Sequence, residues 1–338
     1  MKSGLIICTY QRPEAIIKLL RSIKEQTVYP DQILVVDGSL DDHTKNSLPQ
    51  QEFPKIEYFK VGKEDRGLTR QRNFGISKLV PQIEIVFFLD DDVIISPAYF
   101  EEILGTYQYF PQALGVSGYT VNETEWKAVE ENYTPSFGEF MFDGWVRKEG
   151  SRFLLRRKFG LQPDVPPGYM PEFSHGYSAG FLPPSGKTYE VEMLMGGIAS
   201  YRKQVFSEFQ FSPFFEGYGL YEDADFSLRV SRIGKLYVNT AAKLEHYHDE
   251  AGRPNKFRYG KMVVRNGWYV WRVRHQNPSL LGKLKWHGTS FLLTLVRLGN
   301  IFNTPKKKEA LTESLGRIAG WWSLLLERPG SKFKNSVE

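Results

Sequence analysis

Four apolar, β-branched runs separated by amphipathic stretches constrain this 338-residue chain more than any other feature. Leu5 to Thr9, Gln32 to Asp37, Ile56 to Val61 and Ile83 to Asp90 read as strands, while Pro13 to Glu25 and Thr69 to Leu79 carry helical spacing. Pro13 suits a first helical turn. Strands alternating with helices predict an α/β fold in which helices flank a mostly parallel central sheet. Pro97 opens a further predicted helix through about Tyr109, and Gly115 to Val121 a further strand. From Thr134 to Gly186 the chain is rich in glycine, proline and aromatics and poor in periodicity, which predicts a long irregular excursion of the kind that tends to be functional. Regularity returns at Met193 to Tyr201, followed by a helix near Asp223 to Arg232, strands near Leu236 and Leu244, and long helices from Phe257 onward.

A chain 41% hydrophobic and 14% aromatic buries a sizeable core, which excludes disorder as its state. The single cysteine, Cys8, sits in the run Leu5, Ile6, Ile7, so a buried strand residue is expected and a disulfide framework is excluded; that suits a reducing compartment. The N-terminus enters a strand without a secretory apolar stretch, so a cytoplasmic location is expected. Leu280 to Glu338 carries ten Lys/Arg against four Asp/Glu, so the basic character of the chain is concentrated in this tail.

The chemistry-bearing residues lie at the ends of the apolar runs. Val86 to Leu89 is followed by Asp90, Asp91 and Asp92, a buried strand ending in three carboxylates. Ligands of open α/β sheets sit beyond the carboxyl ends of strands. Adjacent acids repel unless a cation neutralises them, and Mg²⁺ takes carboxylate oxygens together with substrate phosphates. An isolated acidic triplet is more often a solvated turn; the strand in front of it reverses that reading. Val35 and Val36 likewise lead to Asp37, suited to a nucleobase N–H, while Asp41 and Asp42 fit a helix cap or Asx turn. Arg66, Arg70 and Arg72 surround a helix start, where phosphate oxygens are favoured. Glu222, Asp223 and Asp225 are denser than capping requires, so one of them can serve as a general base, and Arg229 shares a helical face with Asp225. His246 or His248 can complete a metal shell with the acidic triplet; spacing does not choose between them.

In this order the residues resemble the family 2 inverting glycosyltransferases of GT-A fold. The resemblance runs from about Gly4 to Trp271, through ICTYQR at Ile7, VVDGSLDD at Val35, GLTRQRNFGI at Gly67, FFLDDDVI at Phe87, MGGIASYRK at Met195, YEDADFSLR at Tyr221 and the segment from His246 to Arg253 ahead of VVRN at Val263. It implies a GT-A domain over residues 1–255 with its excursion at about 134–190, a C-terminal helical extension over 256–330, and a disordered tail over 331–338. It also implies transfer of a sugar from a nucleotide-diphosphate donor to an acceptor hydroxyl with inversion, in polysaccharide, glycolipid or other glycoconjugate assembly. Residue by residue, Thr9, Arg12, Asp37, Arg72, Asp90 and Asp91 would bind donor. Asp90, Asp92 and His246 would hold Mg²⁺ or Mn²⁺, and Asp223 would be the catalytic base. Gly196, Gly197 and Glu222 would lie on the acceptor side. Two departures stand out: VVDGSL has one acid fewer than the family's usual VVDDGS, and the aromatic excursion has no counterpart, so the acceptor site does not carry over.

Other classes fit less well. A sugar nucleotidyltransferase needs a glycine-rich loop where this chain has Thr9 to Pro13, and a glycoside hydrolase would be separated by nucleotide-sugar turnover. An inactive relative acting as a membrane-associated binding or scaffold protein has no chemical reason to keep both the triplet and Asp223. In the tail, Leu311, Leu315, Ile318, Trp322 and Leu325 share one helical face, which either packs on protein, including a second copy in a homo-oligomer, or touches membrane. With Lys306 to Lys308 this suggests peripheral contact with an anionic cytoplasmic membrane face through 280–338 and a carbohydrate or lipid-linked acceptor. No nucleic-acid module is present, so nucleic acid is not an expected partner.

Overall fold

The computed structural model describes residues 1–215, 217–247 and 254–329. His248 and the tail 331–338, two subjects of sequence expectations, lie outside the described residues. By contacts the chain divides into two units, Met1–Trp126 with Ser178–Gly252, and Lys127–Tyr177 with Arg253–Glu338.

The first unit is built on one mixed sheet. Its strands are β1 (Ser3–Thr9), β2 (Gln32–Asp37), β3 (Ile56–Lys60), β4 (Ile85–Asp90), β5 (Val93–Ile95) and β6 (Ala113–Thr120). To these are added β10 (Thr188–Val191), β11 (Ala199–Arg202) and β12 (Lys235–His246); β7 to β9 belong to the second unit. The spatial order is β10-β12-β6-β11-β4-β1-β2-β3, with β5 pairing β12. β3, β2, β1 and β4 are parallel, as are β6 and β12; β11 is inserted antiparallel between β4 and β6. β1, β2 and β4 are nearly continuous apolar runs because helices cover both of their faces. Helix α1 (Pro13–Lys24) shows how: Ile16, Leu19, Leu20 and Ile23 are buried at spacings of three, one and three, and Pro13 starts the first turn. The core joins these residues to Leu5, Ile7, Val35, Phe87 and Phe100. In register, Cys8 faces Asp90 and Thr9 faces Asp37, so the carboxyl ends of β1, β2 and β4 are level. Burial pushes the Cys8 thiol up to about 12, an inert strand residue.

Helices α2 (His43–Ser47), α3 (Leu68–Ser77), α4 (Tyr99–Tyr109) and α6 (Glu222–Val230) complete this unit. Asp41 accepts the His43 backbone N–H at 3.1 Å, the expected Asx turn, and Arg229 pairs with Asp225 at 2.7 Å. The two short strands expected near Leu236 and Leu244 are one strand, β12, because a register shift after Val238 lets it bend and go on pairing β6.

The second unit holds a three-stranded antiparallel sheet of β7 (Lys127–Ala128), β8 (Glu139–Phe142) and β9 (Trp145–Lys148). It also holds helices α5 (Ser151–Lys158), α7 (Lys256–Arg274), α8 (Leu280–Asn303) and α9 (Lys307–Leu326). The excursion is thus not irregular throughout. Asp143 and Gly144, both with positive φ, turn β8 into β9, a hairpin too short to leave an alternating pattern in sequence.

Candidate active site

The acidic triplet closes β4, and each of its members has a different environment. Asp91 is buried; the Thr9 hydroxyl donates to it at 2.7 Å and Arg12 at 3.0 Å. Burial raises Asp91 to about 7 against the pull of Arg12. Asp90 and Asp92 approach His246 at the end of β12, Asp92 also lying 3.4 Å from Arg12. One ligand atom from each of Asp90, Asp92 and His246 falls within 4.8 Å of the others. His246 Nε2 lies 3.1 Å from Asp92 Oδ1, and its Nδ1 lies 3.4 Å from Glu123. Burial lowers the imidazole, but hydrogen bonds to Asp92 and Glu123 outweigh it and raise His246 to about 10. Two carboxylates and an imidazole with a carboxylate behind it form a donor set that fits a divalent cation, in which the second carboxylate orients the ring.

Arg72 on α3 joins this cluster to α6. It is 2% exposed, donates to Glu222 Oε1, reaches the Gly196 carbonyl at 3.1 Å and lies 3.5 Å from Asp90 Oδ1. Its guanidinium stacks over Phe88 and Phe211 at 5.6 and 5.2 Å. Asp223 follows Glu222 and accepts the Gly196 N–H at 3.1 Å and the Ala224 N–H at 2.8 Å. Tyr221, which starts this helix, has φ of 70°, a strained conformation for a bulky residue. Gly196 and Gly197 leave no room for side chains. A Cβ on Gly197 would come 2.2 Å from Asp90 Oδ2, and one on Gly196 would come 2.6 Å from the Asp223 Cβ.

Asp90, Asp92, His246, Arg72, Glu222, Asp223, Gly196 and Gly197 therefore form one connected patch, with Thr9, Arg12 and Asp91 alongside it. Asp37 stands at the adjacent strand end but is fully buried: the Ser39 N–H donates to it at 2.7 Å and the Tyr58 hydroxyl at 2.5 Å. Direct contact with a base requires Tyr58 to turn aside.

A family model, Glycosyl transferase family 2, matches residues 5–208, more than half of the chain. The chain belongs to glycosyl transferase family 2. Among curated relatives it is 28% identical over 140 residues to a glucosyl-dolichyl phosphate glucuronosyltransferase of Haloferax volcanii, a match covering 40% of this chain and 42% of that protein. It is 30% identical over 115 residues to the O-antigen chain rhamnosyltransferase RfbN of Salmonella typhimurium, covering 34% and 35%. The matches thus span less than half the length of these relatives. A solved structure of GalNAc-T7 with UDP, GalNAc and Mn²⁺ matches 84% of this chain and 53% of its own, with a TM-score of 0.51 and 13% identity. The α/β fold is GT-A-like, with a C-terminal helical region, as the sequence led one to expect.

For this family 2 chain, sequence reasoning missed Gln71, Glu123 and Tyr58. Gln71 donates to the Thr9 and Val36 carbonyls at 3.1 and 2.8 Å and accepts the Gly67 N–H at 3.2 Å, tying α3 to two strand ends. A signal existed: Gln71 lies four residues before Gly75, whose missing side chain makes room for Ile6, so a polar residue on that face must find partners in the sheet.

Burial pushes the Glu222 carboxyl up to about 8 from 4.5, against the pull of Arg72. Because the folded value lies above the unfolded one, this group's stabilising contribution is complete below 4.5 and is lost as pH rises through about 8. Wild-type melting temperature should therefore fall between about pH 5 and about pH 8 more steeply than that of Glu222→Gln. Parallel pH profiles in calorimetry would dismiss the assignment.

Proposed function

We propose that this chain transfers a sugar from a nucleotide-diphosphate donor to a hydroxyl of a carbohydrate or lipid-linked acceptor, with inversion at the anomeric carbon, in glycoconjugate assembly. One observation carries the reading: the Asp90, Asp92 and His246 cluster and the Asp223 carboxylate are joined through Arg72 and Gly196 at the level carboxyl ends of β1 and β4. The catalytic work belongs to the sheet within 1–255, with 256–330 as a helical extension. Support comes from the family, from relatives named as a glucuronosyltransferase and a rhamnosyltransferase, and from a neighbour of like fold holding UDP, GalNAc and Mn²⁺.

Asp90, Asp92 and His246 would hold Mg²⁺ or Mn²⁺, which when bound supplies Lewis-acid stabilisation of the negative diphosphate. The chain does the rest. Thr9 and Arg12 fix Asp91 beside the donor, and Arg72 holds Asp90 and the Gly196 carbonyl in place. Asp223, oriented by two backbone N–H groups, removes the proton of the acceptor hydroxyl as that oxygen bonds to the anomeric carbon and the nucleoside diphosphate leaves with the old bond's electron pair. A single displacement inverts the configuration.

A panel of nucleotide sugars with Mg²⁺ or Mn²⁺ should give turnover that a chelator abolishes and added cation restores. Product of retained anomeric configuration by NMR would refute inversion, and turnover indifferent to chelator would refute the metal assignment. A panel without any turnover would favour an inactive binding relative.

A further inference from the structure

Helices α8 and α9 each carry a large apolar stripe that none of the described residues covers. On α8, Leu280, Leu284, Phe291, Leu295 and Phe302 fall within one narrow sector at 3.6 residues per turn, and all are exposed, Phe302 to 85%. On α9, Leu311, Leu315, Ile318, Trp322 and Leu325 form a second stripe and are likewise exposed. Monomeric proteins rarely leave contiguous apolar surface of this extent in water.

The opposite faces account for the packing of both helices. Gly316 and Gly320 of α9 meet the α7 backbone so closely that a Cβ on Gly316 would come 2.0 Å from the Phe257 carbonyl. Trp286 of α8 is buried against Trp268 and Trp271 of α7, with ring centroids 4.7 and 5.8 Å away. With these faces occupied, the stripes are surplus to the fold.

Charge identifies the occupant. Helix α8 contains no acidic residue and exposes Lys283, and Lys306, Lys307 and Lys308 are exposed where α8 passes into α9. Of the acids on α9, Glu309 pairs with Lys256 at 3.3 Å, and Glu313 is buried between Arg297 and Arg317 at 2.8 Å each. The surface around the stripes is therefore positive. A second copy docked symmetrically on the same stripes brings the same lysines against these, whereas an anionic bilayer offers both hydrocarbon and negative headgroups. Among the described residues no helix is long and apolar enough to cross a membrane.

We propose that the α8 and α9 stripes lie on an anionic lipid surface, with Phe291, Leu295 and Trp322 entering the acyl boundary and Lys306 to Lys308 on the headgroups. This surface does not depend on the sugar-transfer reading.

The full chain should co-sediment with large unilamellar vesicles of phosphatidylcholine and phosphatidylglycerol at low salt. Partition should fall by about tenfold or more at high salt, and again in the Lys306→Gln/Lys307→Gln/Lys308→Gln variant. Phe291→Glu/Leu295→Glu should abolish binding while keeping the parent's melting temperature and its lipid-free donor hydrolysis. No sedimentation of the folded parent at low salt would overturn the proposal, as would unchanged binding in the glutamate variant. A dimer, seen by analytical ultracentrifugation, that this variant dissociates without any vesicle binding would overturn it in favour of a second copy.

Discussion

Asp223→Asn is expected to fold, to bind nucleotide sugar as the parent does, and to lose turnover by about 10²–10⁴-fold, the usual worth of a general base. The two oxygens of Asp223 accept N–H groups from Gly196 and Ala224. Asparagine keeps one acceptor but turns an amide NH₂ toward the other N–H, a local cost at a half-buried position. It cannot take up a proton at neutral pH. The loss should therefore appear in kcat with little change in the KM for donor, alongside a near-parental melting curve. Glu222 is no substitute base: it is buried, already bonded to Arg72, and pushed up to about 8 by burial, so much of it is protonated near neutrality. Parental kcat in Asp223→Asn would move the base elsewhere.

What was legible in the sequence follows from what is local. β2 was read at its observed bounds, and β1 and β4 within two residues, because strands covered on both faces are written as unbroken apolar runs that end where the chain reaches the ligand crevice. The same runs singled out Asp37 and Asp90 to Asp92. The sheet of the excursion was not legible, since β8 and β9 have four residues each and little alternation between them. Links between distant elements were equally hidden. Arg72 and Glu222 are 150 positions apart, and Glu123 behind His246 sits in a loop that no periodicity marks. Asp37 shows the limit most clearly. Sequence placed it at the right strand end, but its enclosure by Tyr58 depends on the pairing of β2 with β3.

The buried link through Arg72 should be the most costly in the site to break. Above about pH 8, where Glu222 is ionised, Arg72→Met leaves that carboxylate buried without its cation and the Gly196 carbonyl without a donor, a loss of about 3–5 kcal/mol by the usual measure of a broken buried pair. In a chain of 338 residues that is roughly 4–7 °C of melting temperature. The cost should grow with pH: at low pH Glu222 can escape by binding a proton, and above its already raised value it cannot. Adding Glu222→Met removes the stranded acid, so the double variant should recover much of the stability, since an apolar pair of similar volume is commonly as stable as a buried ion pair. Activity should not return with it. Arg72 also lies 3.5 Å from Asp90 and holds the Gly196 carbonyl, whose glycine N–H orients Asp223, so both halves of the site lose their common support. A double-mutant cycle in chemical denaturation, run beside nucleotide-sugar turnover, separates the two effects. Additive stability losses, or turnover regained in the double variant, would show that Arg72 and Glu222 are not coupled in the way the geometry indicates.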